Sequence, residues 1–231
     1  MPPSTGPASA PPGDHTAERA ARLGRLYTGA VADILDELGH RDRCLPADIR
    51  PLDPAMRVAG PVYTVRGRAR HAEDGPDPRY RQMDMLEGIF PGCVVVIDPG
   101  DERRAAHWGE LMSNVARARG ATGVVIAGGL RDSPQILALG FPAFRIYHSP
   151  LTAVYRFEIT DFDVPIRLGG VPIAPGDYIL GDIDGVLVIP AAAVDEVIVR
   201  GESGRDRETI VRRALQSGGN IRELFEEYRV F

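Results

Sequence analysis

The chain of 231 residues contains no lysine, and all 27 of its basic residues are arginine. Every mechanism built on a lysine Schiff base is thereby excluded, lysine aldolases and pyridoxal phosphate enzymes among them, and so is the lysine of a phosphate-binding P-loop. A chain of this composition that breaks a carbon–carbon bond needs a metal ion or another cofactor. Cysteine is almost as scarce. Cys44 and Cys93 are too few for a disulfide framework and lack zinc-site spacing. Cys93, inside the apolar run CVVVID, is expected in the core. No run of about 18 apolar residues is available to span a membrane, and the N-terminus lacks the apolar segment of a secretory signal. With a pI near 5.6 there is no basic field for nucleic acid. GxGxxG, HExxH, GxSxG and paired CxxC are all missing. The expectation is a cytoplasmic protein without a nucleic-acid or membrane partner, long enough to bury a sizeable core as one large domain or two small ones.

What is present is organised around His107–Asp132, HWGELMSNVARARGATGVVIAGGLRD. It reads as a turn at Trp108-Gly109, a helix from Glu110 to about Arg119 with Leu111, Met112, Val115 and Ala118 on one face, a β-branched strand from Thr122 to Ala127, and a glycine turn at Gly128-Gly129 that delivers Arg131 and Asp132. Ligands of open α/β sheets bind beyond the carboxyl ends of the strands, which is where Arg131 and Asp132 fall. The helix start offers the backbone N–H groups of Glu110, Leu111 and Met112, a suitable seat for a carboxylate.

Before this unit, residues 1–16 are Pro, Ala, Ser and Gly and read as a disordered tail. Ala17–Leu38 carries apolar residues at helical spacing, as two helices parted near Thr28-Gly29, with Asp33, Asp36 and Glu37 on a solvated face. Arg57–Arg66 reads as a strand kinked at Gly60-Pro61. Gly67–Arg81 reads as a long mobile loop, with His71 and several arginines. Gln82–Phe90 reads as a short helix and CVVVID as a buried strand. Asp98, Asp101, Glu102, His107 and Glu110 cluster in sequence just after it. Beyond Asp132, Ser133–Leu139 reads as a helix closed by Gly140 and FPAFRIY as a strand, so that strand, helix, strand, helix, strand implies parallel pairing. After His148 come short strands and tight turns, a mostly antiparallel layer in which GDIDGV is a turn. From Ala191 the chain is helical with a break at Gly218-Gly219, and the last segment sets Ile221, Leu224, Phe225 and Tyr228 on one face that needs something to pack against.

The chemistry these residues offer is a guanidinium, an adjacent carboxylate, a second carboxylate at a helix start, and free backbone donors. Few hard oxygen ligands suit Mg2+ or Mn2+ with several waters retained, and such a site binds an anionic oxo-acid whose enolate Arg131 would help stabilise. A plain salt bridge with a helix cap accounts for an Arg-Asp pair equally well at this level.

WGELMSNVARARGATGVVIAGGLRD resembles the signature of the RraA-like family, which groups regulators of ribonuclease activity A with metal-dependent 4-hydroxy-4-methyl-2-oxoglutarate aldolases. VADILDELG, AGPVYTV, PGCVVVID, LGFPAF, DVPIRLGGVPIAPGDYILGDIDGVLVIP and GGNIRELFEEY extend the likeness, in order, from Val31 to the end. The resemblance implies an α/β fold of β/β/α layers, related to swivelling phosphohistidine domains, in a single domain over residues 17–231 whose C-terminal helices pack on a neighbouring subunit of a trimer or dimer of trimers. It implies that Arg131 contacts pyruvate and its enolate, that Asp132 ligates the metal, that Glu110 holds metal-bound water, that Gly109 and the amides of Leu111 and Met112 hold the pyruvate carboxylate, and that Glu208 reaches the metal waters from a neighbouring subunit. The implied activity is a retro-aldol cleavage of a 4-hydroxy-2-oxo acid, with oxaloacetate decarboxylation through the same enolate. The rivals are a non-catalytic trimeric regulator that docks on a ribonuclease, and dehydration or isomerisation at the same metal site. Regulators lack the aspartate that is present here as Asp132. Two departures from the family pattern stand out: Ala127 replaces a usual aspartate, and the Gly67–Arg81 stretch replaces a common glycine-aspartate-asparagine segment.

Overall fold

The computed structural model describes residues 14–70 and 76–229. In chain order the elements are α1 (Asp14–Leu23), α2 (Thr28–Glu37), β1 (Arg50–Pro51), β2 (Val58–Ala69), α3 (Pro78–Glu87), β3 (Val94–Asp98), β4 (Ala106–Trp108), α4 (Glu110–Ala118), β5 (Gly123–Ile126), β6 (Gly129–Leu130), α5 (Ser133–Leu139), β7 (Ala143–Arg145), β8 (Tyr147–His148), β9 (Phe157–Phe162), β10 (Ile166–Leu168), β11 (Val171–Ile173), β12 (Tyr178–Gly181), β13 (Val186–Ile189), α6 (Val194–Gln216) and α7 (Ile221–Tyr228).

The main sheet runs β1-β7-β5-β3-β2-β12-β13, with β9 also paired to β2. The β2-β3, β3-β5 and β5-β7 pairs are parallel, as the alternation of strands and helices requires. The β12-β13, β12-β2 and β2-β9 pairs are antiparallel, the character expected after His148. Alternation along the strands sorts the core into two faces. Val95, Ile97, Val124 and Ile126 point to one face and join Met85 of α3, Met112 and Ala116 of α4 and Ile136 of α5. Val94, Val96 and Val125 point to the other and meet Ile166, Leu168, Val171 and Ile173 of the β10-β11 hairpin. These layers of helix, sheet and hairpin form the β/β/α arrangement. Around the β12-β13 edge, α1, α2 and α6 close a third apolar cluster through Leu23, Leu26, Val31, Leu35, Val197 and Ile198.

Three sequence expectations shift. The first helix begins at Asp14, inside the segment read as a tail; residues 1–13 lie outside the described residues. Arg19 binds Asp195 at 2.7 Å and Arg22 binds Glu202 at 2.7 Å, which fastens this helix to α6. The Gly67–Arg81 stretch is not one loop. Its start continues β2 to Ala69 against β9 after a bulge at Arg66/Gly67, and its end opens α3 four residues before Gln82, because Asp77 caps the helix by accepting the Arg79 N–H at 3.0 Å and Pro78 occupies its first turn. His71 lies outside the described residues. Lastly, the turns at Trp108 and Gly128-Gly129 belong to a separate sheet of three short strands, β4-β6-β8, all parallel.

Among the described residues no helix is long and apolar enough to cross a membrane. On α7, Ile221 and Phe225 are exposed and no residue is buried.

Candidate active site

The small β4-β6-β8 sheet positions the site. Strand β4 ends at Trp108, whose carbonyl accepts the Arg131 N–H at 3.1 Å, so the residue after β6 is tied to the end of β4. Trp108 is itself fixed: its indole Nε1 donates to Ser113 Oγ at 2.8 Å and Ser113 Oγ donates to the Gly109 carbonyl at 3.1 Å. Gly109 is the N-cap of α4 and has no side chain to cap it. Asp132 supplies the cap instead, its Oδ2 accepting the Glu110 N–H at 3.2 Å. The Leu111 and Met112 N–H groups that follow are the next donors of the helix start, and no acceptor among the described residues takes them.

Asp132 sits at φ 57, ψ 34, in the left-handed region, as the N-cap residue of α5, yet its side chain makes no bond to that helix. The plain reading of a salt bridge with a cap is therefore half met. The Arg131 Nε to Asp132 Oδ2 distance is 3.5 Å, looser than a paired guanidinium and carboxylate, and both side chains are about two-fifths exposed (42% and 41%). Glu110 is held by Asn114, whose Nδ2 donates to Glu110 Oε1 and, at 3.2 Å, to the Glu110 carbonyl.

Arg131, Asp132, Gly109, Leu111 and Met112 line one cavity of about 250 Å3. Its far wall was not legible beforehand: Ala153, Val154, Phe157 and Ile159 come from the start of β9 and the loop before it, and Pro78, Arg79 and Gln82 from α3. Phe157 approaches the β2 backbone where Gly67 stands; a Cβ there would fall 2.2 Å from its ring. A shallower hollow on the other side of the pair is lined by Ser133, His148 and Ser149, with His148 Nδ1 2.9 Å from Ser133 Oγ and Arg145 Nε donating to His148 Nε2 at 3.1 Å. Burial and the Arg145 charge both hold His148 below its ordinary value.

His107, the one histidine on the cavity lining among the described residues, has its ring edge-on to Phe157 at 4.7 Å. Its Nδ1 accepts the Gly129 N–H at 3.0 Å, so the proton of the neutral ring is on Nε2. That Nε2 lies 3.1 Å from Glu102 Oε2 but outside hydrogen-bond alignment, and it is the buried side-chain polar atom without a hydrogen-bond partner among the described residues. Burial pushes the imidazole below its ordinary value, against the pull of the Glu102 charge. With its one lone pair spent on Gly129, His107 has no basic nitrogen to turn toward a substrate.

The acidic cluster expected around Asp98 does not converge. Asp98 closes a turn on Gly100 N, Asp101 accepts from Ala69 N, and Glu102 is buried beneath His107, accepting from the Arg104 and Ala105 N–H groups. Glu208 is also apart from the cavity within one chain: on α6 it accepts from the Tyr27 hydroxyl and pairs with Arg212 at 3.4 Å. Burial and this contact raise the Tyr27 hydroxyl to about 12. Ala127 packs in the hairpin-side core, so no acid stands behind the glycine turn. Among the described residues no three His, Cys, Asp or Glu side chains converge as a metal cage.

A mixed sheet, a second small parallel sheet, and a cavity lined by an arginine, an aspartate and the start of a helix define an α/β protein. The chain belongs to the RraA-like family: the family model described as Aldolase/RraA matches residues 28–188. A protein of Halalkalibacterium halodurans named "Putative 4-hydroxy-4-methyl-2-oxoglutarate aldolase" is 32% identical over 82% of this chain and 85% of its own length. Protein DlpA of Legionella pneumophila is 28% identical over 86% of this chain, which spans only 32% of that relative's length. Of solved structures, one described as novel cellulases from microbes associated with the gut ecosystem superposes with TM-score 0.79 at 37% identity, covering 87% of this chain and 89% of that one. RraAS2 of Streptomyces coelicolor, described as an unusual member of the RNase ES inhibitor RraA family, superposes with TM-score 0.74 at 25% identity, covering 89% and 99%.

Proposed function

We propose that the chain is a divalent-metal-dependent lyase that cleaves a 4-hydroxy-2-oxo acid to pyruvate and a second carbonyl product, with oxaloacetate decarboxylation as a related activity. One observation carries this reading: Arg131, Asp132 and the first residues of α4, Leu111 and Met112, line the same cavity. Mg2+ or Mn2+ fits the donor set, since Asp132 Oδ1 and Glu110 Oε2 have no partner among the described residues while the other oxygen of each is spent on the protein. When bound, such an ion supplies Lewis acidity at the 2-oxo group.

The Leu111 and Met112 amides hold the substrate carboxylate at the positive end of the helix. Arg131 lies beside the 2-oxo oxygen and meets the negative charge that grows there. The 4-hydroxyl proton goes to a water held by Glu110, the C3–C4 bond breaks, and its electron pair becomes the C2–C3 enolate while C4 becomes a carbonyl. A proton returned to C3 gives pyruvate. The reading includes a cytoplasmic homotrimer, or a dimer of trimers, in which Glu208 of one copy faces the cavity of the next; light scattering gives the mass that tests it.

The test of the chemistry is pyruvate release, coupled to lactate dehydrogenase, from oxaloacetate and from 4-hydroxy-4-methyl-2-oxoglutarate with Mg2+ or Mn2+ and again with EDTA. Pyruvate that appears with metal and stops with chelator is the expected result. No pyruvate from any 4-hydroxy-2-oxo acid, given a folded and metal-loaded protein, overturns it.

A further inference from the structure

We propose that the physiological substrate carries a single carboxylate and an apolar group on C4, an aryl or branched alkyl substituent, so that the second product is an apolar aldehyde or ketone. This deepens the reading above and rests on it. Most of the cavity wall is apolar: Ala106, Met112, Ala153, Val154, Phe157 and Ile159 line it, and the buried His107 ring, edge-on to Phe157, marks its inner end; besides Arg131 and Asp132, the side chains of Thr152, Arg79 and Gln82 are also on the lining. Its volume of about 250 Å3 exceeds the cavity of about 150 Å3 that accepts a benzene ring in a protein core.

A second carboxylate at that inner end would need a cation, and among the described lining residues each candidate is already committed. Arg79 is on the lining, but its Nε lies 2.9 Å from both oxygens of Asp77, so its charge is already paired with a carboxylate. Gln82 Nε2 points at Met112 Sδ at 2.8 Å. His107 is neutral, and behind it the Glu102 carboxylate lies only 3.1 Å from its ring, which makes the inner end repel an anion. Arg70, close by, donates to the Val154 carbonyl at 3.0 Å and so braces the wall rather than opening into it. Arg131 remains as the cation for one carboxylate and the enolate. An anion driven past it loses water without finding a partner, whereas a ring or a branched alkyl group gains by the same transfer.

Two measurements test this. Calorimetry uses 2-oxo-4-phenylbutanoate and 2-oxoglutarate, metal-loaded protein, and no turnover, since neither ligand has a 4-hydroxyl. The phenyl compound should bind roughly 10- to 100-fold more tightly, as expected for burying one ring. Equal or tighter binding of 2-oxoglutarate, or binding of neither, overturns the proposal. The second measurement compares pyruvate release from 4-hydroxy-2-oxo-4-phenylbutanoate and 4-hydroxy-2-oxoglutarate; kcat/KM should favour the first, and a preference for the second overturns the proposal. An absence of pyruvate from both, with the binding preference intact, sinks the lyase reading alone. Val154→Arg, which adds a cation to the wall, should shift both preferences toward the dicarboxylate, and an unchanged preference in the folded variant counts against the wall as the determinant.

Discussion

Asp132 caps the helix that begins at Glu110, although it stands at the first turn of a different one. Its Oδ2 takes the Glu110 N–H at 3.2 Å across 22 residues of sequence, while its own backbone sits at φ 57 at the start of α5. One carboxylate on the cavity lining thus ties the end of β6 to the start of α4 and keeps its second oxygen unpaired among the described residues. Structural and chemical roles share the side chain, and substitutions can separate them.

Asp132→Asn keeps an oxygen for the Glu110 N–H and a residue type that tolerates the left-handed region. Asp132→Ala loses the cap, worth about 1 kcal/mol, and suffers the left-handed strain of about 1–2 kcal/mol. Denaturant melts should therefore show Asn near the parent and Ala lower, while pyruvate release falls by roughly 10²–10³-fold or more in both, and likewise in Arg131→Ala. Full turnover in a folded Asp132→Asn protein would show that its charge is idle.

Gly109→Ala is expected to spare the fold and injure the site. The Gly109 backbone, at φ −156, is extended and open to any residue. An added Cβ would fall 2.7 Å from Asp132 Oδ2 and 3.3 Å from Arg131 Cγ, so both side chains must move. Circular dichroism should change little and melting should fall by no more than the loss of the Asp132 cap, about 1 kcal/mol, while a displacement of this order costs about 10²-fold in rate. Unchanged kcat/KM would mean that the pair has room to spare.

His107 gives a pH signature. Because burial lowers its folded pKa below the unfolded value of about 6.5, the unfolded chain takes up the proton first. The neutral ring's contribution is whole above about pH 6.5 and is lost as pH falls from there toward the folded pKa. His107→Gln should flatten this part of the melting-temperature profile; an identical slope in the variant would assign the acid sensitivity to other groups.

Ser113→Ala removes the acceptor of the Trp108 indole N–H in a fully buried setting. A buried donor left unsatisfied costs about 1–3 kcal/mol. Urea unfolding that shows no loss would mean that another acceptor or a water reaches the indole.

Apolar runs were enough to read β3 and β5, and the Arg131-Asp132 pair falls where the order of the elements places a ligand. The helix α4 was legible in extent but not in facing: its buried side is Met112, Ser113 and Ala116, while Leu111, Val115 and Ala118, expected on the apolar face with Met112, are exposed, the polar Ser113 having masked the true stripe. The strands β4, β6 and β8 have only 3, 2 and 2 residues, too few for any period, and they pass for turns. The start of α3 was signalled by Asp77-Pro78, but only Met85 of that helix is buried, so no apolar stripe marks it. The Phe157 wall could not be read at all: β9 meets the cavity only because β2 is long enough to pair with it. The same holds for Glu102 and His107, near in sequence but related by a burial that spacing does not encode.

β2 is the strand on which biosynthesis must wait. It is flanked by β3 along its middle, Val62 to Arg66, by β12 at its start and by β9 at its end. β12 is not complete until Gly181 has been added, nearly half the chain after the end of β2 at Ala69. Until then a 12-residue, largely apolar strand has an open edge in the nascent chain. Closing such distant pairs sets the folding rate, so truncations that stop short of β12 should accumulate as aggregates rather than as soluble fragments, and slow synthesis would lengthen the exposure that a holdase chaperone has to cover.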